Sequence, residues 1–184
     1  RITAAKPSML LWTSETMSVR MALRERGHGN SPVYCATAMK VSELGEFGLI
    51  ERLRAALGAP ADERLIVGIG DDAAVWQSGE TFVIATTDTM VAGVHFLPDS
   101  TAWRDVGWKV IAVNISDIAA MGGTPTLALV TLCLPPDTDV TAMDDLYAGM
   151  REIAELSGVS IAGGDIVSSP VFAVTVALLG EAYV

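Results

Sequence analysis

Residues 108–125 have the sequence WKVIAVNISDIAAMGGTP, an almost entirely apolar segment that carries one aspartate, Asp117. The apolar pattern predicts a helix over about residues 102–121. A carboxylate buried in such a helix is costly unless it is paired or binds a metal ion. Asn114 lies one turn earlier on a neighbouring face, where it can share a ligand or a water molecule with Asp117. We therefore interpret Asp117 as a functional residue.

Strands and helices alternate on both sides of this segment. Segments rich in β-branched residues and bounded by Gly or Asp predict strands over 65–70, 81–88, 128–134, 159–164 and 171–180. Further helices are predicted from Ser42 or Gly45 to about Leu57 and over about 141–157. For the latter, Thr141 is the predicted N-cap, with Asp144 as its capping-box partner, and Gly158 ends the helix. The alternation, without a longer repeat, indicates an α/β (α+β) fold.

Five aspartates lie beside predicted strand ends or inside the central helix: Asp71, Asp72, Asp88, Asp117 and Asp165. Neighbouring strands deliver their ends to one edge of a sheet, so these carboxylates can converge. No run of Lys or Arg accompanies them, and a cation is then needed to hold them together. Oxygen ligands with few His or Cys nearby indicate Mg²⁺ or Mn²⁺ rather than zinc. The alternative for Asp71, Asp72 and Asp165 is that Gly-Asp pairs simply form turns and caps.

Three glycine segments leave backbone N–H groups free to approach phosphate oxygens: GIGDD (68–72), MGGTP (121–125) and AGGD (162–165). None of them matches a P-loop or a dinucleotide fingerprint. His95 either binds a phosphate or polar substrate group or is an ordinary loop histidine. Carboxylates, glycines and a hard cation together suit a reaction in which metal ions bridge phosphates and the protein positions them.

The charge of the chain is unevenly distributed. The 184 residues carry a formal net charge of −10. They are 51% apolar, and this apolar fraction excludes a chain that is disordered throughout. Residues 1–40 contain six basic and two acidic residues, a charge of +4, so residues 41–184 carry −14. The acidic part lacks the basic surface that nucleic acid binding requires. We expect no nucleic acid partner.

The first 38 residues show no sustained helical or strand period. We expect residues 1–38 to be a disordered or non-native leader, with a basic targeting arm as the alternative, and residues 39–184 to form the folded domain. Cys35 and Cys133 form neither a disulfide framework nor a CxxC pair, which fits a reducing compartment. No apolar run reaches the ~20 residues that span a bilayer. We expect a cytoplasmic protein without a membrane partner.

Four motifs, in this order, resemble the thiamine-monophosphate kinase family: GIGDDAAV (68–75), TTDTMVAGVHF (86–96), WKVIAVNISDIAAMGGTP (108–125) and AGGDIVSSP (162–170). That family belongs to the superfamily of aminoimidazole ribonucleotide synthetase, selenophosphate synthetase and a hydrogenase maturation factor. The resemblance implies ATP-dependent phosphorylation of thiamine monophosphate to thiamine diphosphate, by in-line attack of the substrate phosphate on the γ-phosphate.

The resemblance also implies roles for individual residues. Six residues match positions that hold Mg²⁺ ions in the family: Asp71, Thr86, Thr87, Asp88, Asp117 and Asp165. His95 matches a substrate-binding position, and three residues match nucleotide contacts: Tyr147, Gly164 and Asp165. The implied fold is the synthetase-like N-terminal domain, a mixed sheet flanked by helices that packs against the sheet of a second copy to form a homodimer.

The sequence departs from the family pattern in its basic leader, in ending at GEAYV where a second domain is expected, and in having Ile166 where threonine is common. We therefore expect residues 39–184 to be the N-terminal ATP- and Mg²⁺-binding domain of a kinase. Two alternatives stay open: a non-catalytic dimerisation and Mg²⁺-nucleotide-binding module, and another ATP-using member of the superfamily such as a selenophosphate synthetase.

Overall fold

A computed structural model of the chain describes residues 39–183, so the expectation about the leader lies outside the described residues. These residues form three helices and a six-stranded sheet in the order β1-β2-β3-β6-β4-β5. The helices are α1 (Val41–Leu57), α2 (Trp103–Ala120) and α3 (Val140–Ser157). The strands are β1 (Leu65–Val67), β2 (Ala74–Ser78), β3 (Thr81–Val91), β4 (Thr124–Leu134), β5 (Ser160–Ser168) and β6 (Ala173–Tyr183). The predicted mixed α/β architecture is confirmed.

The sheet is mixed because β4 and β5 run parallel while every other neighbouring pair is antiparallel. Helix α2 packs on β3 and β6, and α3 packs on α2 and β5. Alternate residues of the central strands are buried beneath the helices, among them Ile84, Val130 and Val176. The opposite side of the sheet, which we call the open face, carries exposed residues such as Thr87 and Leu129.

Helices α2 and α3 approach each other closely through two glycines. A Cβ atom at Gly149 would lie 2.9 Å from the backbone nitrogen of Trp108, and a Cβ atom at Gly107 would lie 2.8 Å from the carbonyl carbon of Leu146. Both distances are too short for a real contact, so only glycine permits this separation of the two helices. The close pairing fixes α2, and with it Asp117, relative to α3.

The capping prediction for α3 is wrong at its start and confirmed at its end. The N-cap is Asp139, whose carboxylate accepts a 2.9 Å hydrogen bond from the backbone N–H of Thr141. Aspartate is as good a cap as threonine and here precedes the first helical residue, so Thr141 lies inside the helix. Gly158 ends the helix in the left-handed conformation, with φ 72°.

Several strand bounds also differ from the prediction. The strand expected over 65–70 ends at Val67, and β2 was not predicted at all. Strand β3 continues past Asp88 because residues up to Val91 pair with β6. Likewise, β5 continues through Asp165 because it pairs with β4 as far as Ser168.

Helix α1 buries none of its residues, and Phe47 is 85% exposed. Its expected N-terminal boundary, Ser42 or Gly45, differs from the observed one: the helix begins at Val41 and is interrupted at Gly45, whose φ is 72°. In the part of the chain that the structure describes, no helix is long and apolar enough to cross a membrane.

Candidate functional site

The centre of the candidate site is a contact between β3 and α2. The Thr86 hydroxyl donates a 2.8 Å hydrogen bond to Oδ2 of Asp117 and lies 3.1 Å from the backbone oxygen of Asp72. Thr86 is only 9% exposed, although it is a polar residue in a strand. The contact therefore ties together three segments that are distant in sequence: the loop after β1, strand β3 and helix α2.

The Asp117 carboxyl is partly buried and lies near the carboxylates of Asp88 and Asp72. Partial burial raises the pKa of this carboxyl, the hydrogen bond from Thr86 lowers it, and the charges of Asp88 and Asp72 raise it further. Within residues 39–183 the ion pairs join Arg54 to Glu51, Arg64 to Asp62, Arg104 to Glu152 and Arg151 to Glu155. None of them reaches this cluster of carboxylates, so a bound cation would relieve its repulsion.

A cavity of about 600 Å³ opens beside this contact. Its polar lining consists of Asp71, Asp72, Thr86 and Thr87, and an oxygen of Asp71 accepts the backbone N–H of Asp72 at 3.0 Å. The fold thus brings together Asp71, Thr86 and Thr87 at the cavity, Asp117 through its bond to Thr86, and Asp88 through its effect on Asp117. The Thr87 side chain nevertheless lies on the open face of the sheet, opposite the Thr86–Asp117 contact, so these five predicted ligands are near one another without facing a single point.

The donor set suits magnesium. No three Asp, Glu, His or Cys side chains among the described residues converge closely enough to hold a metal ion by themselves. Magnesium usually takes one or two carboxylates and completes its octahedron with phosphate oxygens and water. The carboxylate and hydroxyl oxygens at this cavity fit that pattern, whereas a cage built from protein ligands alone is not present in residues 39–183.

Asp165, the sixth predicted ligand, lies apart from the others. Strand β5 is three places from β3 in the sheet, a separation of about 14 Å at the usual strand spacing. Asp165 accepts a 2.9 Å hydrogen bond from the backbone N–H of Ile166, which is 70% exposed. Asp88 and Asp165 both lie inside strands, so the expectation that they meet where strands end is wrong.

His95 lies in a tight turn after β3. Its Nδ1 accepts a 3.0 Å hydrogen bond from the backbone N–H of Val91, and its own backbone N–H donates to the carbonyl of Val91. The next residue, Phe96, is buried against Trp103 and Phe172, which anchors the turn. Because Nδ1 is an acceptor, the neutral ring carries its hydrogen on Nε2, which is free to donate to a ligand.

Tyr147 lines a separate cavity of about 540 Å³ between α3 and β5, together with Asp144, Arg151 and Ile161. Tyr147 is 39% exposed, and burial raises the pKa of its hydroxyl. An aromatic ring beside a guanidinium suits the stacking of a flat base. Arg151, which is not among the residues predicted from the sequence, lies four residues after Tyr147 on the same side of α3 and lines this cavity with it.

The packing of β5 against β4 requires glycine at position 164, whether or not a ligand binds there. A Cβ atom at this position would lie 2.9 Å from the backbone nitrogen of Val130 in the neighbouring strand β4, and still closer to the Val130 carbonyl. Only glycine allows β5 to approach β4 at this point. The role of Gly164 in nucleotide binding therefore remains a prediction from the resemblance.

Known proteins share this domain. Residues 70–182 match the family model described as AIR synthase related protein, N-terminal domain. The chain is 38% identical to the thiamine-monophosphate kinase of Aquifex aeolicus over 143 residues, covering 78% of this chain and 44% of that protein. It is 44% identical to the thiamine-monophosphate kinase of Bacillus subtilis over 117 residues, covering 62% of this chain and 36% of the relative. The chain thus spans less than half the length of these curated relatives.

Solved structures give the same result. The structure described as "AaThiL complexed with AMPPCP and TMP" superposes with a TM-score of 0.73 at 37% identity, covering 80% of this chain and 45% of that one. The protein tt0281 from Thermus thermophilus superposes with a TM-score of 0.70 at 29% identity, covering 78% of this chain and 46% of its own. The chain belongs to the AIR synthase related protein family and contains that family's N-terminal domain.

Proposed function

We propose that this chain is part of a thiamine-monophosphate kinase, which transfers the γ-phosphoryl group of ATP to thiamine monophosphate and forms thiamine diphosphate. The observation that carries the proposal is the Thr86–Asp117 contact beside a cavity lined by carboxylates that no basic side chain of residues 39–183 pairs. The relatives named as this kinase, and the related structure that contains AMPPCP and TMP, support it.

Each part of the site has a role in this proposal. Asp71, Thr86, Thr87, Asp88, Asp117 and Asp165 would hold magnesium ions, which would supply positive charge to the phosphates that react. The Thr86 hydroxyl holds the carboxylate of Asp117 in one orientation. His95 donates from Nε2 to the substrate, while Tyr147 and Gly164 contact the nucleotide. Without a cation, the carboxylates at the cavity would repel a polyphosphate.

A homodimer formed through the open face is part of the same proposal. Leu129 of β4 is 46% exposed on the open face, where the sheet of a second copy would cover it. On this side of the sheet Thr89 of β3 is paired with Thr175 of β6, and their hydroxyl oxygens are hydrogen-bonded at 2.8 Å. We also propose that the enzyme is cytoplasmic, because the sequence has only two cysteines, Cys35 and Cys133, and their spacing is not that of a disulfide framework.

A second candidate function is a Mg²⁺-dependent nucleotide-binding module without catalytic activity. The observation that favours it is the coverage: the chain spans only 44% of the length of the Aquifex aeolicus relative. In this function the carboxylates at the cavity hold a Mg²⁺-nucleotide complex, and no phosphoryl group is transferred.

The test is to incubate the chain with ATP, Mg²⁺ and thiamine monophosphate and to assay thiamine diphosphate by chromatography. The control is Asp137→Asn, because Asp137 is an exposed acid outside the cavity. The kinase is supported if Asp117→Asn abolishes product formation and the control variant does not. No product, with Mg²⁺-dependent binding of a non-hydrolysable ATP analogue, favours the module. If neither product nor binding occurs, both functions are refuted for this chain.

A further inference from the structure

Asn114 is the one residue in the described part of the chain whose buried side-chain polar atom lacks a hydrogen-bond partner. The side chain is fully buried in α2, and its Nδ2 donates a 2.8 Å hydrogen bond to the backbone oxygen of Val110. A carbonyl oxygen only accepts, so Nδ2 must face Val110 and Oδ1 must point away from it. A buried acceptor left without a donor is destabilising, because it has lost its hydrogen bonds to water and gained none in the protein. Such a residue needs an explanation.

The position of Asn114 relates this oxygen to the carboxylates. Ile84 of β3 and Ile118 of α2 lie close together, because both are near Gly123. Two residues further along β3, Thr86 contacts Asp117, which is one residue earlier in α2. Helix α2 therefore runs antiparallel to β3. Asn114, one turn before Asp117 on the buried face, therefore follows β3 beyond Thr86, in the direction of Asp88. Asp88 is close enough to Asp117 for its charge to be felt there.

The polar groups in this region are nearly all acceptors. Oδ1 of Asn114 and the carboxylates of Asp88 and Asp117 carry no hydrogen to donate, and the Thr86 hydroxyl already points to Asp117. Two acceptors are joined only by a molecule that donates to both or by a cation with its water. A magnesium ion keeps several waters when it binds to one or two carboxylates, and each of them is a donor.

We propose that Asn114 is a positioning residue for a magnesium ion at Asp117, and that its buried Oδ1 accepts a hydrogen bond from a water molecule in the coordination shell of that ion. This inference rests on the proposed magnesium site and adds a residue that the resemblance did not assign. It explains why a polar side chain occupies the centre of a buried helix face whose neighbours Val110, Ile111 and Ile118 are apolar. Partners of this kind typically change metal affinity 10- to 100-fold when they are removed.

The test measures binding of Mg²⁺ alone by calorimetry, together with the rise in thermal midpoint that Mg²⁺ produces. Asn114→Leu keeps a similar volume but removes the acceptor, and we expect the Kd for Mg²⁺ to rise about tenfold or more. Asn114→Asp keeps an acceptor but loses the Nδ2 donor to Val110, so we expect it to retain Mg²⁺ binding at a lower thermal midpoint. Val110→Ala, a fully buried position one turn earlier, is the control: it lowers stability but leaves the Kd unchanged. Asn114→Ala replaces the leucine variant if that variant does not fold.

The outcomes separate this inference from the function on which it rests. Loss of affinity in Asn114→Leu with retention in Asn114→Asp supports the positioning role. Wild-type affinity in Asn114→Leu, while Asp117→Asn loses binding, overturns the role of Asn114 and leaves the metal site intact. Wild-type affinity in Asp117→Asn, or no Mg²⁺ binding by the unaltered chain, refutes the metal site itself.

Discussion

Replacing Thr86 by valine removes the hydroxyl that binds Asp117 and keeps the shape of the side chain. A hydrogen bond to a charged group contributes about 1.5–3 kcal/mol, and we take about 2 kcal/mol for this partly buried pair. In a domain of this size, each kcal/mol shifts the thermal midpoint by about 2–4 °C, so Thr86→Val should lower it by about 4–8 °C at neutral pH. The measurement is thermal and urea unfolding of both proteins without metal.

The cost of Thr86→Val should also depend on pH. The bond from Thr86 lowers the pKa of Asp117, so it stabilises the charged form. Its contribution is therefore complete well above that pKa and declines as the pH falls toward it. Because burial and the neighbouring charges raise the pKa of Asp117 above 3.8, the decline starts at a higher pH than for an ordinary aspartate.

Thr126→Val is the matched control for this experiment. The Thr126 hydroxyl donates a 3.1 Å hydrogen bond to the uncharged backbone oxygen of Leu179. Its loss should cost about 1 kcal/mol at every pH. If Thr86→Val costs no more than Thr126→Val, or if its cost does not change between pH 8 and pH 4, the charge-assisted bond between Thr86 and Asp117 is refuted.

Three further predictions concern packing, capping and assembly. Gly149→Ala forces α2 and α3 apart and should cost about 1–3 kcal/mol in urea unfolding; an unchanged midpoint would contradict the close approach at Trp108. Asp139→Ala removes the observed cap and should cost about 1 kcal/mol, whereas Thr141→Ala should cost less; the reverse order would restore the original capping prediction. Leu129→Lys places a charge on the open face and should convert a dimer to a monomer in analytical ultracentrifugation, and a monomeric wild-type protein would refute the proposed dimer.

The sequence predicts helices better than strand ends in this chain. The pattern of apolar residues located α2 to within a residue at each end, because one helix face is buried along its whole length. The end of β3 was misplaced at Asp88, where the apolar run gives way to polar residues. Pairing with β6 as far as Val91 extends the strand, and that pairing involves residues more than 80 positions away. The sequence gives only a weak signal for strand β2, because AVWQS is short and ends in two polar residues; Gly79, in the two-residue connection to β3, is its hairpin signal.

The candidate site could be predicted in part from chemistry but not from spacing. A carboxylate in an apolar helix correctly identified Asp117 as unusual, because burial raises its pKa in the folded protein. The separation of Asp165 depends on the order of the strands, which places β5 at the edge of the sheet, and the sequence around Asp165 carries no signal for that order. Nor does any local pattern show that Thr86 meets Asp117, 31 residues later. These contacts arise from the packing of α2 on β3.

The most direct test of the account is Mg²⁺-dependent binding of a non-hydrolysable ATP analogue, measured by calorimetry with Mg²⁺ and again with the metal chelated. We predict binding only when Mg²⁺ is present, and at least tenfold weaker binding in Asp88→Asn and Asp117→Asn than in the control Asp137→Asn. Equal affinity with and without Mg²⁺, or wild-type affinity in both site variants, would contradict the assignment of these carboxylates to a magnesium and polyphosphate site.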